Sequence, residues 1–306
     1  MKTRKVFPGE VHHVCQQTID GVVVFYTVSD YLVYFTLFCT VAKRYGIKVL
    51  ALCPMVDHTH NTVVVQSRLQ LSRFVQQYTH LFAKEWNISR RRKGPLFRAR
   101  FKSAAKLGNK AVKTTINYNN NNPVERKMVT RAELYRWNFL RYARESYPFS
   151  VPIVLSNKSW RFRGILKELE TTYKGGGYLR YAQLQRWMKR LDANEMQQIA
   201  DYAIVRWNVI DYAEVISYYG DYDTLLRSLH DNTGSEYDIK EDRDNYSDEV
   251  YQDCSRILLK EGIVKSLLEI PLLPLSMKKE AARLLRQRTT ARPRQIKKYL
   301  HLKDDF

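Results

Sequence analysis

The stretch MVDHTHNTVVV (residues 55–65) sets His58 and His60 one residue apart at the start of an apolar run. In a strand, residues i and i+2 point to the same face. The two imidazoles then stand side by side, with Thr59 turned the other way. Such a pair can take one divalent cation if one or two further ligands join it. It can equally be two ordinary histidines on the wet face of a strand. A second group lies downstream, in INYNNNNPVERKMV (residues 116–129). Tyr118 and Asn122 are four apart on a predicted helix and share a face. A phenol and an amide oxygen could then point together at the histidine strand. The spacing fits a polar helix end just as well, with asparagines as C-caps before Pro123.

The elements that must position these groups follow from pattern. EVHHVCQQT (residues 10–18) reads as a strand, and Asp20–Gly21 as a turn. Ser29 or Asp30 can cap a helix through YLVYFTLFCTVAKRYG that stops at Gly46. IKVLALCPM and HTHNTVVVQ read as two strands, and LQLSRFVQQYTHLFAKEWN has helical apolar spacing. GPLFRARFKSA suggests a further strand, and NKAVKTTINYNNNNPV a helix that must end near Pro123. The order strand, helix, strand, strand, helix, strand predicts an α+β, ferredoxin-like fold with an antiparallel sheet. The His58–His60 strand should lie inside that sheet. After residues 146–152 the chain turns mostly helical. The expected division is a catalytic domain over 1–147, a helical accessory domain over 148–250 and a terminal region over 251–306. Residues 231–249 are acidic and polar and read as a loop. EIPLLPLS (residues 269–276) reads as a hinge.

Three segments taken together, LALCPMVDHTHNTVVV, GPLFRARFKS and YNNNNPVERKMV, resemble in order and spacing the HUH single-tyrosine transposases, the IS200-like family. The pattern is most similar to their REP-associated branch, the RAYTs. The resemblance covers roughly residues 5–145, and RAELYRWNFLRYA extends it. It implies that His58, His60 and Asn122 are metal ligands and that Tyr118 is the nucleophile. It also implies a 5′-phosphotyrosine link and a free 3′-hydroxyl on single-stranded DNA. The chain departs from the family at Thr59, where a hydrophobe is usual. It departs again at Asn119 and Asn120, which replace an apolar residue and a histidine, and at Glu125, which stands for arginine.

The chemistry accounts for these residue types. A phosphodiester repels nucleophiles, and a bound cation withdraws charge and fixes the phosphate for in-line attack. Mg²⁺ prefers oxygen ligands and imidazole suits Mn²⁺, so a site of two histidines and an amide admits either. A tyrosine phenol with a pKa of about 10 is a weak nucleophile until oriented or deprotonated. Its phenolate leaves more readily than a sugar alkoxide, which suits cutting and rejoining.

Composition supports a polyanion partner. The 306 residues carry a formal net charge of +20 and are 44% hydrophobic, so the chain folds around real cores and favours nucleic acid over membrane. Arg90, Arg91, Arg92, Lys93, Arg98, Arg100, Lys102 and Lys106 form a basic belt before the tyrosine helix, with Trp86, Phe97 and Phe101 interleaved. The charges are expected on DNA and the aromatics in the core. Each phosphate neutralised should steepen the salt dependence of duplex binding by a slope of about 0.9. Residues 278–288 and 292–300 outline a helix-turn-helix joined by TTA, with Thr289 or Thr290 as N-cap. Its second helix offers Arg292, Arg294, Gln295, Lys297 and Lys298 to the duplex part of a hairpin. The apolar run 31–42 is too short to span a bilayer, and the opening MKTRKVFPGE lacks a signal-peptide core. Four scattered cysteines fit a reduced cytoplasmic, nucleoid-associated protein.

The expected function is a metal-dependent endonuclease or transposase that nicks and rejoins single-stranded DNA beside a hairpin, as monomer or homodimer. The rivals are a domesticated, non-catalytic DNA-binding protein on the same fold, an RNA-binding protein with an incidental histidine strand, and a replication or conjugation nickase. The Y-x-x-x-N-P-V context argues against the last.

Overall fold

The computed structural model of the chain describes residues 5–231 and 247–303. Four strands, β1 (Val11–Gln17), β2 (Lys48–Pro54), β3 (His58–Val64) and β4 (Lys102–Lys106), form one antiparallel sheet in the order β2-β3-β1-β4. Helix α1 (Val28–Tyr45) joins β1 to β2, α2 (Arg68–Ser89) joins β3 to β4, and α3 (Gly108–Glu125) follows β4. This is the ferredoxin-like arrangement expected from the element order, with the histidine strand inside the sheet.

The register decides what each face carries. Gln17 lies opposite His58, Cys15 opposite His60 and His13 opposite Thr62. Residues directly opposite share a face, so His13, Cys15, His58 and His60 all look toward α3. The other face meets α1 and α2 through a core of Phe35, Phe38, Phe74, Tyr78 and Phe82. Phe38 packs edge-on against Phe74 and at a steep angle to Tyr78, each at 5.2 Å.

Helix α1 is buried from Ser29 to Cys39 on every side, which explains an apolar run without a polar face. One side meets the sheet and α2. The rest is covered by α4 (Trp160–Lys174), α5 (Tyr181–Met188) and α6 (Ala193–Trp207), whose Phe162, Leu169, Leu184, Trp187 and Ile199 join the same cluster. Residues 148–207 therefore share the core of the sheet domain. The cap of α1 is Thr27, not Ser29 or Asp30. Asp30 stands at the third helical position and completes a capping box with Thr27, and Gly46 closes the far end in the left-handed region at φ 60°. Helix α3 runs two residues past Pro123, because a proline in the last turn removes only one bond and Arg126 N–H still reaches the Asn122 carbonyl at 3.0 Å.

Two further clusters fasten the remaining helices. Helices α7 (Tyr212–Ser217) and α8 (Tyr222–Asp231) bring Val215, Tyr219, Leu225 and Leu229 onto Val112 and Ile116 of α3. Helices α9 (Val250–Lys260), α10 (Leu275–Arg288) and α11 (Pro293–Leu300) close around Val23 and Val56 of the sheet domain. The expected hinge at 269–276 is anchored instead, since Ile270 is fully buried in this cluster. The two terminal helices exist as expected, but α11 begins after Arg292, whose N–H is taken by the Gln295 side chain at 3.0 Å, while Thr289 ends α10. Most of the acidic stretch 231–249 lies outside the described residues. Among the described residues no helix is long and apolar enough to cross a membrane. All four cysteines are buried, and burial pushes the Cys39, Cys53 and Cys254 thiols up.

His301 follows α11 and lies parallel to Trp86 at 5.8 Å, with its Nε2 2.7 Å from the Val23 carbonyl. Burial pushes its pKa down to about 3. An unfolded histidine takes a proton below about pH 6.5; this one, folded, does not. Stability from this group is therefore present above that pH and is lost as pH falls, by about 1.4 kcal/mol per pH unit. Urea unfolding between pH 6 and pH 4 should show a shallower pH slope for His301→Asn than for wild type. Equal slopes would refute the burial argument.

Candidate active site on the α3 face of the sheet

β3 places His58 and His60 side by side as its alternation requires, with ring centroids 4.8 Å apart and planes at 89°. β1 adds His13, which sequence reasoning passed over. Its Nε2 lies 3.0 Å from the Nδ1 of His60, and its ring centroid is 5.2 Å from the His60 ring. Tyr118 of α3 closes over this pair. Its ring stands edge-on to His60 at 5.4 Å and to His13 at 5.6 Å. The histidine strand and the tyrosine helix, 58 residues apart in sequence at His60 and Tyr118, thus meet within one chain. Tyr118 is only 1% exposed, so its phenol sits in a dry layer between sheet and helix.

The asparagine run holds α3 in this pose. Asn119 donates to the Thr62 hydroxyl at 2.7 Å, which fixes the helix to β3. Asn117 accepts from the Tyr219 hydroxyl at 2.9 Å and donates to Ser228, and Asn121 donates to the Leu229 carbonyl. The departure at Asn119 therefore serves packing onto β3, while Asn120 donates to the Ile116 carbonyl within α3 at 2.9 Å. Asn122, one turn beyond Tyr118, is 3% exposed, and its Nδ2 is buried without a hydrogen-bond partner among the described residues.

Thr59 faces the opposite side and is fully buried beside the hydroxyls of Tyr34 and Tyr78, while Asn61 donates to Tyr78 at 3.4 Å. A hydroxyl in place of the usual hydrophobe matches this polar seam. It leaves the histidine face untouched.

The Nδ1 of His58 is held by Asp57 at 2.5 Å, and that of His60 by His13. Nε2 is therefore the atom each would offer a metal, the arrangement in which a second partner fixes tautomer and ring angle. Two imidazoles and the Asn122 amide suit Mn²⁺ or Mg²⁺. An amide turned over in the Asn122 site would set an oxygen where the unpartnered nitrogen now lies, so the residues fit a cation. No three His, Cys, Asp or Glu side chains converge on a metal position among the described residues.

Charge around Asp57 is mixed. Burial pulls its pKa up, but His58, Lys298 and Arg126 outweigh that and hold it down at about 2. Lys298 of α11 reaches it at 3.4 Å. Asp248 is pushed up to about 7 by burial and by the Asp57 charge. An open cleft of about 650 Å³ begins at His58.

The predicted basic belt divides. Arg91, Lys93, Arg98 and Arg100 are exposed, and Lys102 is half-buried. Arg92 shapes its own loop, bonding Asn87 at 3.0 Å and the Gly94 and Pro95 carbonyls. Arg90 and Lys106 are buried, which removes them from a DNA surface. Arg90 pairs with Asp30 at 2.5 Å and stacks on Trp86 at 4.2 Å. Gln295 is also withdrawn: it is 4% exposed and donates to the Ser247 carbonyl at 2.7 Å. Trp86 and Phe97 are in the core as expected. Sequence reasoning missed His13, Asp57 and Arg126. Asp57 was legible as the residue beside His58, and His13 through the alternation of β1.

A ferredoxin-like sheet thus carries a buried histidine pair against a tyrosine helix. Residues 7–122 match the model of the family described as Transposase IS200 like. No curated protein matches the chain. A solved structure, "Structure of the REP associates tyrosine transposase bound to a REP hairpin", is similar at a TM-score of 0.38 and 14% identity, covering 45% of this chain and 80% of that one.

Proposed function

We propose that this chain is a metal-dependent DNA strand transferase that nicks and rejoins single-stranded DNA beside a hairpin. The observation that carries the reading is the meeting of Tyr118 with His60 and His13 on the buried face, with Asn122 one turn further along α3. In the cleavage step the Tyr118 oxygen bonds to the phosphorus and gives up its proton. The bond from phosphorus to the 3′-oxygen breaks, and that oxygen takes a proton to become a free 3′-hydroxyl. Rejoining is the reverse, with the phenolate as leaving group. A cation held by His58, His60 and Asn122 would neutralise charge on the phosphate oxygens. The protein's share is orientation and exclusion of water. Asn119 fixes the helix on β3, Asp57 and His13 fix the imidazoles, and burial of Tyr118 shields a phosphotyrosine from hydrolysis. The meeting of Tyr118 with histidines of its own chain supports a site assembled in cis.

The burial of Tyr118 also favours a second reading, a non-catalytic DNA-binding protein on the same fold. The two separate in one experiment. The protein is incubated with hairpin oligonucleotides bearing a single-stranded flank, with Mn²⁺ or Mg²⁺, and run on a denaturing gel. The proposal expects a covalent adduct that maps to Tyr118 and disappears with chelator. Retained binding with no adduct under either metal favours the second reading.

A further inference from the structure

Helix α11 does not stand free as a groove-reading helix would. It buries Gln295, Ile296, Tyr299 and Leu300 against the body. Its backbone is tied to the loop before α1, where Val23 N–H donates to the Lys298 carbonyl at 3.2 Å and the Tyr26 hydroxyl to the Tyr299 carbonyl at 2.6 Å. What remains of its surface, Arg294, Lys297 and Lys298, lines the cleft that opens on His58. Arg98 and Arg126 of the sheet domain line the same cleft, with Lys303 beyond them. Six basic side chains thus face two acidic ones, Asp20 and Asp57. Lys298 reaches Asp57 across Gly21, whose φ of +64° already favours glycine; a Cβ there would lie 3.1 Å from the Lys298 Cε. A helix entering a major groove must present a face clear of its own protein, whereas this face looks across the cleft at the sheet domain. A positively charged groove that tracks one backbone is the usual way of holding a single strand.

We infer that α11 and the sheet domain together form a binding cleft for the backbone of single-stranded DNA, which leads the strand past His58. Helix α11 therefore grips the single strand, not the hairpin duplex. The inference rests on the single-stranded substrate proposed above. Its test reads equilibrium binding in EDTA, so failure of the cleft is distinguishable from failure of the chemistry.

The full chain and the double variant Arg294→Ala/Lys297→Ala are compared by fluorescence anisotropy on a short oligothymidine strand and on a blunt hairpin without overhang. Arg294 is exposed and Lys297 half-buried at the surface, so the fold should tolerate both changes. The expected result is a loss of about tenfold or more on the single strand and a fall of about 1.4 in its salt slope, two phosphates at about 0.7 each. The blunt hairpin should change by less than about threefold. The control Arg283→Ala/Arg286→Ala, which removes the same charge from an exposed face of α10 outside the cleft, should leave both affinities unchanged. Equal losses on both ligands, a larger loss on the hairpin, or no loss would overturn the inference. Should the variant not fold, photocrosslinking of a 4-thiothymidine strand to the wild-type chain decides. Adducts at residues 294–303 or at Arg98 support the cleft, and adducts confined elsewhere overturn it.

Discussion

Tyr118→Phe will form no detectable covalent adduct with a flanked hairpin while still holding single-stranded DNA. The change removes one oxygen and keeps the ring, so the edge-on packing against His13 and His60 survives. The hydroxyl is the only group lost, and the covalent step needs an oxygen nucleophile at that place. Adduct formation should fall by about a thousandfold or more, beyond gel detection, as expected when the nucleophile itself is removed. Thermal unfolding should still show a cooperatively folded protein, because ring volume and burial are retained. The cleft walls are untouched, so single-strand affinity should stay within about threefold. An adduct that persists in Tyr118→Phe would dismiss the nucleophile assignment. An adduct that vanishes together with binding would mean that the phenol serves binding.

Arg90→Ala will lower stability by about 3–5 kcal/mol, the range for breaking a buried ion pair. Both side chains of the Arg90–Asp30 pair are fully buried. Asp30, in the first turn of α1, gathers its charge-stabilising donors from several elements. Its Oδ1 takes Arg90 and the Tyr181 hydroxyl at 2.7 Å, and its Oδ2 takes the N–H groups of Tyr26 and Thr27 and the Thr27 hydroxyl. Arg90 lies between the rings of Trp86 and Tyr181, at 4.2 and 5.1 Å. Alanine here leaves a carboxylate buried with no cation and opens a gap between two aromatic faces. Replacing both partners, Arg90→Met with Asp30→Leu, should cost less than the sum of the single changes, because no lone charge is left. Urea unfolding of the three proteins checks this. A loss below about 1 kcal/mol in Arg90→Ala would contradict a coupled buried pair, since that is the range of exposed ones.

Arg90 also shows where sequence reasoning stopped. In the run of basic residues from 90 to 93 nothing local distinguishes the one that turns inward. The distinction is made by Asp30 and Tyr181, 60 and 91 residues away, which only the fold brings to it. Gln295 is alike: its spacing suits a reading helix, and only the docking of α11 onto the sheet domain removes it from solvent. What was legible rested on periods. Alternation set His58 and His60 on one face, the four-residue repeat put Tyr118 and Asn122 on another, and the element order gave the sheet. His13 needed one step more, the register of β1 on β3, which alternation alone leaves undetermined by any even shift. The helical region after residue 148 was legible as helices. Its sharing of one core with α1 was not, because the fully apolar α1 records that it is covered and not by what.

Every catalytic candidate, from His13 to Asn122, lies in elements complete by residue 125, whereas the wall that faces His58 across the cleft is supplied by residues 294–303. At ribosomal speeds of roughly 5–20 residues per second, an interval on the order of ten seconds separates the two during synthesis. In that interval the nascent chain has its histidines and tyrosine but no second wall, and Val23 and Val56 lie open to water. Order of translation thus places the second wall of the cleft after the candidate site. A message broken off between the two would give a product that lacks the second wall and leaves Val23 and Val56 uncovered.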